Sequence, residues 1–94
     1  MGGLFQVRFL GAALTNDERT MTTADQVKEN VSHNILILLA KHDMTQSELA
    51  NRADVSKMQV WRYINRLARC NVDDCARIAA VFGVRLDKFV LSQL

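Results

Sequence analysis

The sequence predicts an all-α domain of five helices, and three observations carry that expectation. The 94 residues contain no proline, and after residue 24 the only glycine is Gly83. Strands need turn residues between them, so this scarcity points to helices joined by short polar turns. From residue 25 onward, apolar side chains recur at helical spacing behind polar capping residues. The balance of 49% hydrophobic to 23% charged residues is that of a globular protein. A chain this short buries roughly 60–70% of its unfolded surface, enough for one small core and too little for a two-domain enzyme.

The first twenty residues differ from the rest. Phe5, Val7 and Phe9 alternate with Gln6 and Arg8, a strand pattern, and Thr15 to Thr20 is a polar linker. This stretch reads as a β-arm that pairs with another chain, since a lone strand does not stabilise itself. A tail, or an upstream extension of a protein that starts at Met21, are the other readings. The chain therefore divides into an arm or tail over 1–24 and a helical domain over 25–94.

The first helix is expected over 25–42, with Val27, Val31, Ile35, Leu38 and Leu39 on its apolar face and Thr23-Ala24-Asp25-Gln26 as a capping box. A second box, Thr45-Gln46-Ser47-Glu48, opens a short helix ending near Ala53. Ser56 caps a third helix running to about Leu67. Asn71 caps a fourth, with Asp73 and Asp74 in its first turn where the helix dipole favours anions. Its inward face is read as Val72, Cys75, Ala79 and Phe82, and Gly83 is its stop. Leu86, Phe89 and Val90 define a short fifth helix.

Several function classes drop out. No apolar run approaches the roughly 18–20 residues of a membrane span. The N-terminus lacks a basic region, and Arg8 interrupts its apolar stretch, unlike a signal peptide. Gln6 stands where a myristoylation motif has Ser or Thr. A cytoplasmic protein is expected. Cys70 and Cys75 make no disulfide scaffold. With His33 and His42 far upstream they lack zinc spacing, so Cys75 reads as a reduced thiol on an apolar face, and no metal is expected. No Gly-rich phosphate loop, metal-binding His pair or nucleophile–base pattern is present, so neither an enzyme nor a cofactor is expected. Ser32-His33 and His42-Asp43 are helix neighbours whose side chains diverge, and both histidines read as surface or capping residues.

Charge distribution is more telling than the net +2. Between Ser56 and Arg69 the charged residues are Lys57, Arg62, Arg66 and Arg69, with no Asp or Glu among them. An ordinary solvated face alternates signs; a one-sign patch implies a polyanionic partner. The patch lies on the second of two short helices joined by a tight turn at Asp54-Val55. Leu49, Ala53, Val55, Val60 and Tyr63 are placed to pack the pair together, with Ala50 small at the close approach. That describes a helix-turn-helix, whose second helix enters the major groove of DNA.

At about 100° per residue, Val60, Ile64 and Leu67 share one face of the third helix and Tyr63 borders it. Met58, Arg62 and Asn65 point the opposite way, flanked by Trp61 and Arg66. Ser56 and Lys57 project from the N-terminal turn, which usually meets base edges. Ser56, Lys57, Met58 and Arg62 are therefore the candidate base readers: Arg62 and Lys57 for guanine, Met58 for a thymine methyl. Thr45 and Gln46, at an exposed helix N-terminus, suit phosphates, as do Asn65, Arg66 and Arg69. Trp61 fits a sugar–phosphate ridge, the first helix or a partner interface, and partial burial is the expectation for a tryptophan.

Thr45-Gln46-Ser47-Glu48-Leu49-Ala50, Val55-Ser56 and Ile78-Ala79-Ala80-Val81-Phe82-Gly83-Val84 together resemble the Cro/C1-type helix-turn-helix family of phage repressors and bacterial regulators, over about residues 25–91. The resemblance implies a five-helix, lambda-repressor-like DNA-binding domain, with Gln46, Ser56, Lys57, Met58 and Arg62 at the positions that usually touch DNA. Four residues depart from the pattern. Asp54 stands where the turn often has Gly, and Asp tolerates the left-handed conformation. Ile64 replaces a frequent Glu, Arg66 a Gly and Cys70 a Pro. Together these suggest a third helix that continues past the usual stop.

One short helix in one groove is a small interface, and such proteins usually double it as symmetric dimers on half-sites about 34 Å apart. Leu86, Val90, Leu91 and Leu94 form the expected interface, since Leu91 and Leu94 are surplus to the core. The functional expectation is a Cro-like repressor, controlled by its own concentration, binding a palindromic double-stranded operator as a homodimer. The same architecture fits a restriction–modification controller, or an antitoxin whose partner protein is held through residues 1–20. A protein-interaction module using Met58, Trp61 and Tyr63 is the reading from a different class.

Overall fold

Four side chains explain where the chain turns into helix. Thr23, Thr45, Ser56 and Asn71 each accept a hydrogen bond from the backbone N–H three residues on, at 3.1, 3.1, 3.1 and 2.7 Å. Each satisfies one of the donors that a helix start leaves orphaned. The computed structural model describes residues 23–94, and among these residues the helices are α1 (Ala24–Lys41), α2 (Gln46–Ala53), α3 (Lys57–Ile64), α4 (Val72–Phe82) and α5 (Leu86–Leu91). The strand pattern of Phe5 to Phe9 and the linker to Thr20 lie outside the described residues. No strand forms among the described residues, and no helix there is long and apolar enough to cross a membrane.

The core is built from one stripe of each helix. α1 contributes Val31, Ile35, Leu38 and Leu39; α2 contributes Leu49, Ala50 and Ala53. Val60, Tyr63 and Ile64 come from α3, Cys75, Ile78 and Ala79 from α4, and Phe89 from α5. α1 lies against α3 and α5, while α2 packs on α3 and α4, and α4 on α5. The two short helices are thereby wedged between a long strut and a closing pair.

Three buried polar residues of α1 satisfy the carbonyl ends of other helices. Ser32 Oγ donates to the carbonyl of Ile64, the last residue of α3. Asn30 Nδ2 donates to the Val90 carbonyl at 3.0 Å. Asn34 Nδ2 donates to the carbonyls of Phe89 (2.6 Å) and Ser92 (2.8 Å), and its Oδ1 accepts from the Leu94 N–H at 2.8 Å. α5 is only six residues long and has no side-chain N-cap, so these bonds, together with the burial of Phe89, hold it against α1.

The turns follow the backbone chemistry. Asp54 takes the left-handed conformation after α2 at φ 57°, as its short polar side chain allows. Gly83 does the same after α4 at φ 69°. Cys70 and Cys75 occupy the positions just before the Asn71 cap and one turn inside α4, where apolar side chains commonly clasp each other. Cys75 is buried, and its Sγ lies 3.6 Å from the Cys70 carbonyl oxygen. Contact with Cys75 and burial push the Cys70 thiol above its ordinary range.

The structure departs from the sequence expectations in several places. α3 stops at Ile64 and does not run on to Leu67. Arg66 adopts φ 60°, the Arg66 N–H bonds the Tyr63 carbonyl (3.3 Å) and the Leu67 N–H bonds the Arg62 carbonyl (2.9 Å). This is the double hydrogen bond of a Schellman stop, formed here with arginine where glycine is usual. Because the chain leaves the helix at Arg66, Leu67 loses its place on the apolar face and is 63% exposed. Tyr63, expected at the border, is fully buried in its stead. Val72, the first residue of α4, is 72% exposed, and Ile78 is the inward residue that reading missed. At Thr23 only half of the capping box forms: the Gln26 side chain bonds Asn30 at 3.0 Å instead of reaching back. α1 also begins one residue earlier than expected, at Ala24.

Candidate nucleic-acid interface

The buried stripe of α3 dictates what its other side presents. With Val60, Tyr63 and Ile64 in the core, Lys57, Met58, Trp61 and Arg62 face outward, and all four are exposed. The Leu49–Ala53 packing of α2 brings its first turn beside that of α3. Gln46 and Ser47 there join Lys57, Met58 and Trp61 around one open cleft.

The capping residues of the site have structural work first. Thr45 closes a complete capping box: its Oγ1 accepts from Glu48 N–H (3.1 Å), and its own N–H donates to Glu48 Oε1 (3.0 Å). Ser56 Oγ accepts from Gln59 N–H, which leaves its hydroxyl proton free to point outward. Asn65 terminates α3, with its Nδ2 donating to the Trp61 carbonyl at 2.9 Å.

The four cations of the patch separate. Arg62 Nη1 donates to Gln59 Oε1 at 3.3 Å. Gln59 Nε2 in turn donates to the Tyr63 hydroxyl at 3.1 Å, and Tyr63 donates to Asp74 Oδ2. A buried tyrosine anchored on α4 thus steadies the glutamine that orients Arg62. Burial, then the Asp74 hydrogen bond, hold the Tyr63 hydroxyl well above the ordinary tyrosine range, so this relay stays protonated. Arg66 turns back onto α1, 3.4 Å from Ser32 Oγ and 3.7 Å from Glu29 Oε1. Lys57, Arg62 and Arg69 have no ion pair among the described residues. Positive charge that finds no carboxylate within its own fold is available to an external anion.

Of the residues singled out from sequence, Gln46, Lys57, Met58 and Arg62 share this face, with Ser56 and Thr45 at its helix starts. Arg69 is exposed in the loop after α3, and Arg66 lies towards α1. Ser47 and Gln59 were not singled out, although both were within reach: Ser47 follows Gln46 in the first turn, and Gln59 stands three and four residues before Arg62 and Tyr63, the helical contact spacing. Asp74 has no such local signal, since it stands eleven residues beyond Tyr63, in the first turn of the next helix. On α5, Leu86 and Leu91 are exposed, as is Leu94 in the extended chain beyond it, while Val90 is half-buried beside the core. No cluster of metal-ligating side chains occurs among the described residues.

The arrangement offers a hydrogen-bonding, positively charged ridge with an apolar notch. A model of the helix-turn-helix family matches residues 35–89, more than half of the chain, and spans every helix of this site. Neither curated proteins nor solved structures give a match.

Proposed function

The chain belongs to the Cro/C1-type family of helix-turn-helix proteins, which are DNA-binding regulatory domains, and from that premise we propose that it represses transcription by binding a palindromic operator as a homodimer. The observation that carries this reading is the outward face of α3. Lys57, Met58 and Arg62 project together from an eight-residue helix whose opposite side is locked into the core, with no carboxylate on that face. A helix so anchored presents its side chains rigidly to a groove.

Ser56, Lys57, Met58 and Arg62 read base edges, with Arg62 held for guanine O6 and N7 by Gln59. Thr45, Gln46, Asn65, Arg66 and Arg69 supply backbone contacts. Gln46 and Arg69 lead among them, since their side chains make no hydrogen bond among the described residues. Leu86, Val90, Leu91 and Leu94 form the dimer seam, because exposed Leu86 and Leu91 on α5, with exposed Leu94 just beyond it, are a natural contact for a second copy. Protein docking through exposed Met58 and Trp61 is the competing reading.

The test is selection of bound duplexes from a random DNA pool at two salt concentrations. An enriched palindrome with half-sites about 34 Å apart, and affinity falling steeply with salt, supports the repressor reading. Failure to enrich any sequence, with weak binding that vanishes on adding salt, would leave only a basic patch.

A further inference from the structure

The charged and hydrogen-bonding residues of the reading face leave its cleft unexplained. The cleft lies between the first turns of α2 and α3, has a volume of about 380 Å³, and is lined by Gln46, Ser47, Lys57, Met58 and Trp61. Met58 and Trp61 are 57% and 46% exposed. Their positions, three residues apart on one helix, bring the two side chains together. Neither is required by the core, which α3 serves with Val60, Tyr63 and Ile64. Two large apolar side chains left side by side in water imply an occupant.

The rim narrows the choice of occupant. Lys57 is positive, Arg62 lies one turn beyond Met58 on the same helix, and Gln46 and Ser47 offer donors from a helix N-terminus. No carboxylate lines the cleft. An apolar floor inside a positive, donor-rich rim complements a surface that is anionic around an apolar projection. In the major groove that projection is the C5-methyl group of thymine, with the O4 acceptor beside it and phosphates flanking. Its volume of about 380 Å³ has room for the methyls of successive thymines, whose bases stack about 3.4 Å apart along a strand.

We propose that the Met58–Trp61 cleft is a thymine-methyl site and that Trp61 is a specificity-determining residue for thymine. Met58 and Trp61 close over the methyl group, while Gln46 or Lys57 donates to O4. The inference rests on the DNA-binding reading above and deepens it. It assigns Trp61 to a base and not to a sugar–phosphate ridge or a partner protein.

The experiment uses the full chain and the duplex it selects. Each thymine is replaced in turn by deoxyuridine, which removes the methyl and leaves every hydrogen-bonding group in place. At one thymine, or two adjacent ones, in each half-site the affinity should fall about fourfold per methyl, the factor expected for one buried methyl group. Elsewhere in the duplex the replacement should be neutral. In Trp61→Ala, and independently in Met58→Ala, the same replacement should lose its effect, as a double-mutant cycle requires. Both side chains are exposed, so both variants should keep the helical circular dichroism and melting behaviour of the parent. If the parent tolerates deoxyuridine at every position, or if the penalty persists undiminished in both variants, the cleft is not a methyl site. If no duplex is selected at all, the DNA-binding reading fails and the inference with it.

Discussion

Replacing Arg66 by glycine and, separately, by alanine tests how α3 ends, because the two possible backbones rank these variants oppositely. Arg66 has φ 60°, with the paired Arg66 and Leu67 N–H bonds of a Schellman stop. In the left-handed region a residue with a Cβ is disfavoured by roughly 1–2 kcal/mol, a cost glycine avoids. Were α3 to continue through residue 66, as its sequence allows, glycine would be worse than alanine by about 0.8–1.0 kcal/mol. Both variants lose the 3.4 Å contact with Ser32 and the exposed 3.7 Å pair with Glu29, so those losses cancel in the comparison. The structure therefore expects the glycine variant to exceed the alanine variant by about 1 kcal/mol. That is roughly 4–8 °C in Tm for a domain of this size. Urea unfolding followed by far-UV circular dichroism measures it, as a higher midpoint at unchanged slope. An alanine variant as stable as the glycine variant, or more so, would refute the left-handed stop and restore the longer helix.

Arg62→Ala should cost about 1–3 kcal/mol on the selected duplex and relax preference at one base pair; equal loss on all sequences in a binding titration would make Arg62 a phosphate contact. Tyr63→Phe should alter the alkaline limb of stability. The native state keeps the Tyr63 proton that the unfolded chain releases near its ordinary pKa of about 10, so stability is full below that pH and falls above it by about 1.4 kcal/mol per pH unit. The phenylalanine variant should lack that fall in urea titrations at successive pH values, and parallel curves would exclude Tyr63 as its source. Asn34→Ala strands two carbonyls and one N–H at the end of α5, each worth about 1–3 kcal/mol if it stays dry. Hydrogen exchange should accelerate first in α5, and uniform acceleration would show that α5 does not undock alone. Leu91→Asp with Leu94→Asp should yield a monomer in sedimentation and weaken operator binding, whereas an unchanged oligomeric state would move the dimer seam elsewhere.

The outward face of α3 is largely legible in the sequence. Lys57, Met58 and Arg62 follow an N-capping serine, and helical spacing then sets them opposite Val60 and Ile64. Gln59 is equally legible from its spacing to Arg62 and Tyr63. What those positions do in detail is not: Asp74 reaches the Tyr63 hydroxyl only because the α3–α4 loop returns the first turn of α4 to it, and Arg66 turns from the face only because the chain reverses there.

Helix starts, by contrast, are decided within four residues. Thr23, Thr45, Ser56 and Asn71 each bond an N–H three positions on, and such chemistry operates whatever the rest of the chain does. The sequence by itself therefore determined that five helices form among the described residues, where the four capped ones begin to within a residue, and that Asp54 and Gly83 turn the chain. It could not determine what lies over each face. Val72 follows the apolar spacing of α4 yet is exposed at its first residue, and Leu67 follows that of α3 yet lies beyond its end. Asn34, a polar residue on a helix, is buried because α5 brings its unpaired carbonyls there from 55 to 60 residues away. Only the tertiary structure decides such cases, because burial and the satisfaction of helix ends depend on neighbours that local spacing does not contain.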